Sequence, residues 1–347
     1  MLKTTSSQSV VKPAALLPSF TLLLSVAIVP VEAVADSLKS GRDLIGRMSV
    51  AMQELSYTGT YIYAHEGDVE TMRIEHSKAD GVERERLLSL NGEAREIVRN
   101  ADSVIGVRPG TKSITVREPS PRAPFPEFDA EQLAQLEKLY RFNPIGRDRV
   151  AGRLAEVVDI KPLDEYRYGY RLWIDAETFM MLRSAMSDKN QRIIEQVMFT
   201  DVNYVDALPA ELFRSSLEGE RQEWLLQEDA DAEEPKPDTD IPGVEKRAIP
   251  DGFTVMSDKV LMLPGKSKVR RVMYTDGLAS LSVYVSNSGS KDALYGRSGM
   301  GAVHAYGAGQ GNWHVTVVGE VPMVTVDMLG KSLVLACLLY TSPSPRD

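Results

Sequence analysis

The sequence predicts an α+β protein in which antiparallel sheet predominates, and three observations support this fold class. The chain of 347 residues is 43% hydrophobic and 26% charged, which is ordinary for a globular protein with room for two domains. Residues 37–56 repeat apolar side chains at helical spacing, whereas most later segments alternate with a period of two between turn residues. A strongly acidic stretch, 218–240, separates a larger part of the chain from a smaller one.

The first element is an amphipathic helix over 37–56. Its apolar stripe recurs at helical spacing between charged residues, and it consists of Leu38, Ile45, Met48, Met52 and Leu55. Such a stripe is more often the side of a helix that packs on a core than a surface for a partner. We therefore interpret it as core-facing.

Hairpins follow this helix and build a meander. Asn91-Gly92 is a strong signal for a tight turn, and Gly67-Asp68 marks another. Asp129 and Gln132 have the spacing of a capping box, which predicts a short helix after the first six strands. The predicted strands are 58–66, 70–77, 84–90, 95–100, 104–107, 113–116, 149–160, 166–175, 179–186 and 192–204.

The acidic stretch indicates a linker. Ten of the 23 residues from Glu218 to Asp240 are acidic, and repulsion among like charges keeps such a segment extended. We assign 218–246 to the linker and 247–336 to a small second unit. That unit is predicted to contain a turn at 250–252, strands at 271–274, 279–285 and 313–318, and a helix that begins near Pro322.

Both ends of the chain are expected to lie outside the fold. Residues 1–35 combine an apolar run with the small residues Ala33 and Ala35, which predicts a secretory signal peptide rather than the alternative, a membrane anchor. Residues 337–347 resemble the translation of a sequencing adapter, so we expect the native sequence to break off near Ala336. That interpretation also removes the only cysteine, Cys337.

No pattern in the sequence predicts catalysis, a metal or a cofactor. The net charge of −9 argues against a nucleic-acid partner. None of the four histidines has the spacing of metal ligands, and a glycine-rich stretch, 307–311, precedes a strand rather than the helix that a phosphate cradle needs. Ser288 and Lys291 match a Ser-x-x-Lys pattern without its companion motifs. We expect a protein that is not an enzyme.

Six segments, in the same order along the chain, resemble the MucB/RseB family of periplasmic sigma-E regulators. They are 85–96, 146–153, 167–175, 249–253, 274–278 and 317–322. The resemblance covers roughly 38–333, and its specificity lies in the common order of the segments.

The resemblance implies both a fold and a function. It implies that 36–217 form an unclosed antiparallel β-barrel similar to LolA and LolB, with helices on its open side, followed by the smaller α+β domain 247–336. It further implies a periplasmic negative regulator that binds the periplasmic domain of a transmembrane anti-sigma factor of the RseA/MucA type. Such a regulator shields that domain from the site-1 protease and releases it on a lipid-type signal, either lipopolysaccharide or the acyl chains of a lipoprotein.

A groove for acyl chains should be lined by adaptable apolar and aromatic side chains on one sheet face. The residues that we predict for this lining are Tyr61, Tyr63, Met72, Ile74, Tyr168, Tyr170, Leu172, Met186 and Met198. The alternative for each of them is a place in the ordinary core.

Two other functions stay open at this point. A periplasmic lipid or lipoprotein carrier without a regulatory role would share the groove but would not need the second domain. A secreted hydrolase with an unrecognised site is less favoured, because no nucleophile and base form a pattern. The sequence is also compatible with a homo-oligomer.

Overall fold

The computed structural model describes residues 40–79, 81–100, 104–108, 113–117, 128–215, 220–222, 241, 244, 249–263, 267–287 and 293–340. The predicted signal peptide, most of the predicted linker and residues 341–347 lie outside the described residues. Two sheets and three α-helices form the described part, and none of these helices has both the length and the apolar character needed to span a membrane.

The first sheet has twelve strands and two free edges. In spatial order they are β12-β6-β5-β4-β3-β2-β1-β11-β10-β9-β8-β7, antiparallel except for the pair β12 and β6. The strands are β1 (Ser56–His65), β2 (Asp68–Ala79), β3 (Val82–Ser89), β4 (Glu96–Arg99), β5 (Val104–Arg108), β6 (Ser113–Arg117), β7 (Tyr140–Val150), β8 (Arg153–Pro162), β9 (Gly169–Asp175), β10 (Met181–Ser187), β11 (Ile193–Val205) and β12 (Glu220–Gln222).

Two helices cover one face of this sheet. α1 (Gly41–Glu54) begins after Ser40, whose hydroxyl accepts a hydrogen bond from the backbone N–H of Asp43. α2 (Ala130–Leu136) starts with the predicted capping box of Asp129 and Gln132. The core between helices and sheet consists of Leu44, Ile45, Met48, Phe128, Leu133, Leu136, Tyr140, Val158, Ile160, Leu172, Ile174 and Met181. The interpretation of the first helix as core-facing is thus confirmed.

The turns differ from the prediction in two places. The chain between β3 and β4 is a loop over 90–95, in which the Asn91 side chain accepts from Thr71 N–H and donates to Val69 C=O. Asn91 therefore ties the loop to β2 instead of closing a two-residue hairpin. The predicted strand 149–160 corresponds to β8 and to the last two residues of β7, a strand that was not predicted. Ala151 and Gly152 adopt positive φ values of 48° and 76° and turn the chain between these two strands.

The second sheet has six strands in the order β13-β14-β15-β18-β17-β16. They are β13 (Thr254–Leu263), β14 (Ser267–Thr275), β15 (Ser280–Asn287), β16 (Gly296–Met300), β17 (Val303–Gln310) and β18 (Trp313–Gly319), followed by α3 (Met323–Tyr340). The glycine-rich stretch 307–311 belongs to the hairpin of β17 and β18, as expected. Val283, Val317, Val321, Val326 and Leu329 are fully buried between this sheet and α3.

A buried ion pair joins the two sheets. The predicted strand 166–175 begins only at Gly169, and the preceding loop carries Arg167 to the boundary. Its Nε lies 2.5 Å from Oδ2 of Asp276, and both side chains are 0% exposed. Tyr140 donates to the same carboxylate at 2.9 Å, and the Arg167 guanidinium also lies 4.7 Å from the centre of the Phe253 ring. A charged pair excluded from water requires this degree of hydrogen bonding to be tolerated.

Close backbone approach completes the contact between the sheets. Gly252 has a φ of +89°, and a Cβ there would lie 2.5 Å from the side chain of Leu139. Thr325 at the start of α3 donates to the carbonyl of Tyr166 at 2.9 Å. The predicted α+β class, with an unclosed antiparallel sheet and a smaller second sheet, is confirmed, and the two sheets are directly packed.

Removing one member of the buried pair should be strongly destabilising. Arg167→Ala leaves the Asp276 carboxylate buried without its cation, which we expect to cost about 3–5 kcal/mol of unfolding free energy. The measurement is urea unfolding of the purified variant. Arg42→Ala is the control, because Arg42 pairs with Glu137 on the surface and should contribute no more than about 1 kcal/mol. Equal costs for the two substitutions would contradict this account.

Candidate functional site

Most of the predicted groove residues share one face of the first sheet. Residues directly opposite each other on paired strands point to the same side. Tyr61 is opposite both Met72 and Phe199, and Tyr170 is opposite Met186. The same alternation places the following predicted residues on one side, which we call the tyrosine face: Tyr61, Tyr63, Met72, Ile74, Tyr170, Leu172 and Met186. Tyr168, just before β9, packs with Met186.

Met198 does not belong to this face. It lies opposite Ile62 on β1 and Arg183 on β10, both of which point to the other side of the sheet. Val197, the residue before Met198, lies opposite Tyr63 and therefore points to the tyrosine face. Because successive strand residues alternate, Met198 points to the other side. Met198 is therefore separated from the other eight residues by the thickness of the sheet.

The tyrosine face has a closed part and a more accessible part. Leu172 is completely buried under the two helices, and Ile74 packs in a cluster with Tyr57 and Phe199. Met72 is 4% exposed. The side chains that retain partial exposure on this face are those of Tyr61, Tyr63 and Tyr170.

The accessible part ends at the second sheet. The Tyr168 hydroxyl lies 3.0 Å from Nδ1 of His304 and 3.2 Å from the carbonyl oxygen of Val321. Tyr168 and Met186 form a small apolar cluster with Ala302. The backbone N–H of Gly301 donates to the carboxylate of Glu66 in the β1–β2 turn. Residues of both sheets therefore line this end of the tyrosine face.

Two carboxylates that the sequence analysis did not single out lie at this junction. Tyr63 donates to Glu195 at 3.0 Å, and Glu195 in turn repels Glu320 at the end of β18. Burial raises the pKa of Glu320 to about 7, and the negative charge of Glu195 adds to this rise. Burial also raises the pKa of Tyr61 to about 12, so the tyrosines are neutral donors at ordinary pH. The packing of the second sheet against the first brings these two acids together.

A cavity of about 850 Å³ adjoins this junction. It follows β9 and β10 to the loop 187–193 and to the start of α3, and its walls include Tyr168, Tyr170 and His304. Arg171, Trp173 and Arg183 line it from the side of the sheet opposite to the tyrosine face. The cavity is thus bounded by residues of both sheets and combines aromatic with charged groups.

Metal ligation is not supported within the described residues. No group of three or more His, Cys, Asp or Glu side chains among them could hold a metal ion. His76 is fully buried, with its Nδ1 2.7 Å from the carbonyl oxygen of Leu55. His314 is likewise buried, with its Nε2 2.7 Å from the carbonyl oxygen of Leu294.

Comparison with known proteins identifies the same two parts of the chain. A model of the MucB/RseB N-terminal domain matches residues 40–224, and a model of the MucB/RseB C-terminal domain matches 242–334. The sigma factor AlgU regulatory protein MucB of Pseudomonas aeruginosa is 30% identical over 318 residues, covering 90% of this chain and 95% of that protein. The sigma-E factor regulatory protein RseB of Salmonella typhimurium is 27% identical over 304 residues, covering 84% and 89%.

Solved structures agree with these sequence relatives. The complex of Pseudomonas aeruginosa MucA/MucB matches with a TM-score of 0.65 and 27% identity, covering 84% of this chain and 96% of that one. A crystal structure of MucB in complex with MucA(peri) matches with a TM-score of 0.63, again at 27% identity, covering 84% and 97%. In each case the similarity extends over nearly the whole of the compared chain.

The raised pKa of Glu320 predicts a pH-dependent effect on stability. The folded protein binds a proton at Glu320 that the unfolded chain has already lost, so the contribution of this group is favourable at low pH and is lost as pH rises through about 7. Glu320→Gln mimics the protonated form. We expect the melting temperature of the variant relative to the wild type to be similar at pH 4.5 and higher at pH 8. Glu165→Gln, at an exposed position, is the control, and an offset that does not change with pH would contradict the assignment.

Proposed function

The chain belongs to the MucB/RseB family, and we propose that it regulates a sigma factor by binding the periplasmic domain of a membrane-spanning anti-sigma factor. The observation that carries this proposal is the similarity to MucB over both domains, in structures that contain MucA. Because both sheets take part in the similarity, the partner is expected to depend on the whole docked chain and not on one sheet alone.

We place this activity in the periplasm. The apolar segment within 1–35 and the small residues before Asp36 support export. In that compartment the bound anti-sigma domain would be shielded from the site-1 protease, so the protein would act as a negative regulator of the sigma-E envelope-stress response. A lipid-type signal, lipopolysaccharide or the acyl chains of a lipoprotein, would end the shielding.

The tyrosine face is the proposed site for the lipid. Tyr61, Tyr63 and Tyr170 present partly exposed rings, and Met186 supplies an adaptable apolar side chain beside them. Leu172 and Ile74 lie in the closed part of the same face and extend its apolar character into the core. Met198 is not included because it points to the opposite side of the sheet.

The position of this face supports coupling between lipid and partner. Its accessible end meets the second sheet through Tyr168, His304 and Glu66. A lipid that bound between these groups would favour an arrangement of the two sheets different from the docked one. A ligand changes an equilibrium of this kind only by its difference in affinity for the two arrangements.

A lipid or lipoprotein carrier is the alternative function. It would use the same face but would have no need of a second sheet held by a buried ion pair. The extensive contacts around Arg167 and Asp276 favour the regulator, because they give the second sheet a defined position that a partner can recognise.

The first test of the proposal measures partner binding and its release. The bait is the periplasmic segment of the anti-sigma factor encoded beside this protein, and the purified protein is added with and without lipopolysaccharide. We expect retention of the protein on the bait, protection of the bait from site-1 protease, and loss of both in lipopolysaccharide. No retention combined with lipid binding by the protein alone would support the carrier instead.

A second test addresses the lipid site. Tyr61→Ser combined with Tyr63→Ser removes two partly exposed rings from the tyrosine face, so we expect lipopolysaccharide to release the partner several-fold less effectively. Binding without lipid should not change. Met198→Ser is the matched control, because it shortens a partly buried side chain on the opposite side of the same sheet. If the control and the double variant lose release equally, the tyrosine face is not the lipid site.

A further inference from the structure

The cavity beside β9 and β10 carries more cations than anions, although the whole chain is acidic with a net charge of −9. Six basic and four acidic side chains line it. Arg167 is neutralised by Asp276 and Asp164, and Arg192 by Asp188. The excess of positive charge therefore lies with the remaining cations on β8, β9 and β10.

Of the two arginines among these cations, Arg183 has the fewer hydrogen bonds to its charged group. Its Nε is buried without a hydrogen-bond partner among the described residues, and its Nη2 donates only to the amide oxygen of Gln196 at 2.6 Å. The guanidinium lies 4.0 Å from the centre of the Trp173 ring, which holds it against the sheet. Burial lowers the pKa of Arg183, and the positive charge of Arg171 contributes to this, whereas Asp148 opposes it. An anion bound at this position would stabilise the charged form of Arg183.

Arg171 lies on the same side of the sheet and leaves positive charge available. Its guanidinium bonds both oxygens of Asp159 at 2.5 and 3.1 Å, and Lys161 lies 3.5 Å from the same carboxylate. One carboxylate thus serves two cations. Arg171 and Lys161 are 43% and 52% exposed, so an incoming anion can reach both of them.

Apolar groups also line this cavity. Ile193 is 53% exposed and Val324 is 39% exposed, and Met323 at the start of α3 lines it as well. The cavity thus offers apolar contacts beside its arginines, and a peptide that carries both an acidic and an apolar side chain can use both.

We propose that this cavity, which we call the basic cleft, binds an acidic segment of the anti-sigma factor, with a carboxylate of that segment paired to Arg171 and Arg183. The inference rests on the proposed function and adds the location and the charge of the contact. The planar fork of a guanidinium matches a carboxylate in a bidentate geometry, which makes arginine the suited partner here.

The position of the basic cleft has a consequence for release. Its arginines, Arg171 and Arg183, lie on the side of the sheet opposite to the tyrosine face, whereas Tyr170 of the tyrosine face also forms part of its wall. The lipid and the acidic segment would therefore meet at Tyr170 but use different charged and apolar groups. His304 belongs to the walls of the cleft and also contacts Tyr168 at the end of the tyrosine face. Lipid would therefore release the partner by moving the second sheet, which is coupling between two sites.

The test compares two double variants of equal net charge. Arg171→Gln with Arg183→Gln alters the basic cleft, whereas Arg147→Gln with Arg297→Gln removes arginines that are 47% and 58% exposed and lie outside it. Binding of the partner's periplasmic segment is measured by calorimetry at low and high salt. We expect the cleft variant to raise the Kd by about tenfold at low salt and to lose most of the salt dependence, and the control to stay within about twofold.

A further variant and a second probe separate the outcomes. Arg171→Lys keeps the charge but loses the planar guanidinium, which can bond Asp159 and a second carboxylate together, so an intermediate rise in Kd is expected. Equal binding by the wild type and the cleft variant would overturn the cleft while leaving the proposed function standing. If the wild type itself does not bind the segment, the proposed function fails and the cleft with it. If the cleft variant instead loses binding only to phosphatidylglycerol vesicles, the anion is a lipid phosphate and the proposal is wrong.

Discussion

A guanidinium and a carboxylate, those of Arg167 and Asp276, lie fully buried where the two sheets meet, and the other contacts between the sheets are arranged around them. Such a pair is tolerated only while its hydrogen bonds are complete, because either charge left alone in a dry interior is very unfavourable. Tyr140 and Phe253 complete its surroundings. Displacing the second sheet would therefore break this network, which makes any such change a discrete one.

The two proposed sites meet at Tyr170 and at the same hairpin of the second sheet, although the arginines of the basic cleft lie on the side of the first sheet opposite to the tyrosine face. Tyr168 reaches His304 from the tyrosine face, and the basic cleft has His304 in its wall. Glu195 and Glu320 add a repulsion between the sheets that is present only when both are ionised. The contact between the sheets therefore combines a strongly bonded pair, Arg167 and Asp276, with a repulsive pair, Glu195 and Glu320.

Local patterns predicted much of the first sheet but not its limits. The alternation of apolar and polar residues identified most strands. The predicted capping box of Asp129 and Gln132 is present, because its two partners are only three residues apart in the sequence. The strand that ends at Asp175 starts three residues later than predicted, because Arg167 pairs with Asp276 of the second sheet and does not belong to the strand. Asn91 forms a longer loop than expected because its amide bonds β2. Both differences come from partners distant in sequence.

The sequence by itself determined the α+β class, α1 and α2, the strands of the first sheet other than β7 and β12, the alternation of sides along each strand, and the resemblance to a family. Periodicity contains that information because it depends on residues that are close along the chain. Only the tertiary structure decided that Met198 is on the other side from Tyr61, that Glu195 comes close to Glu320, and that Nε of Arg183 is buried without a hydrogen-bond partner among the described residues. Each of these depends on strand register or on the packing of one sheet against the other, and the energy that fixes them comes from contacts between residues far apart in sequence.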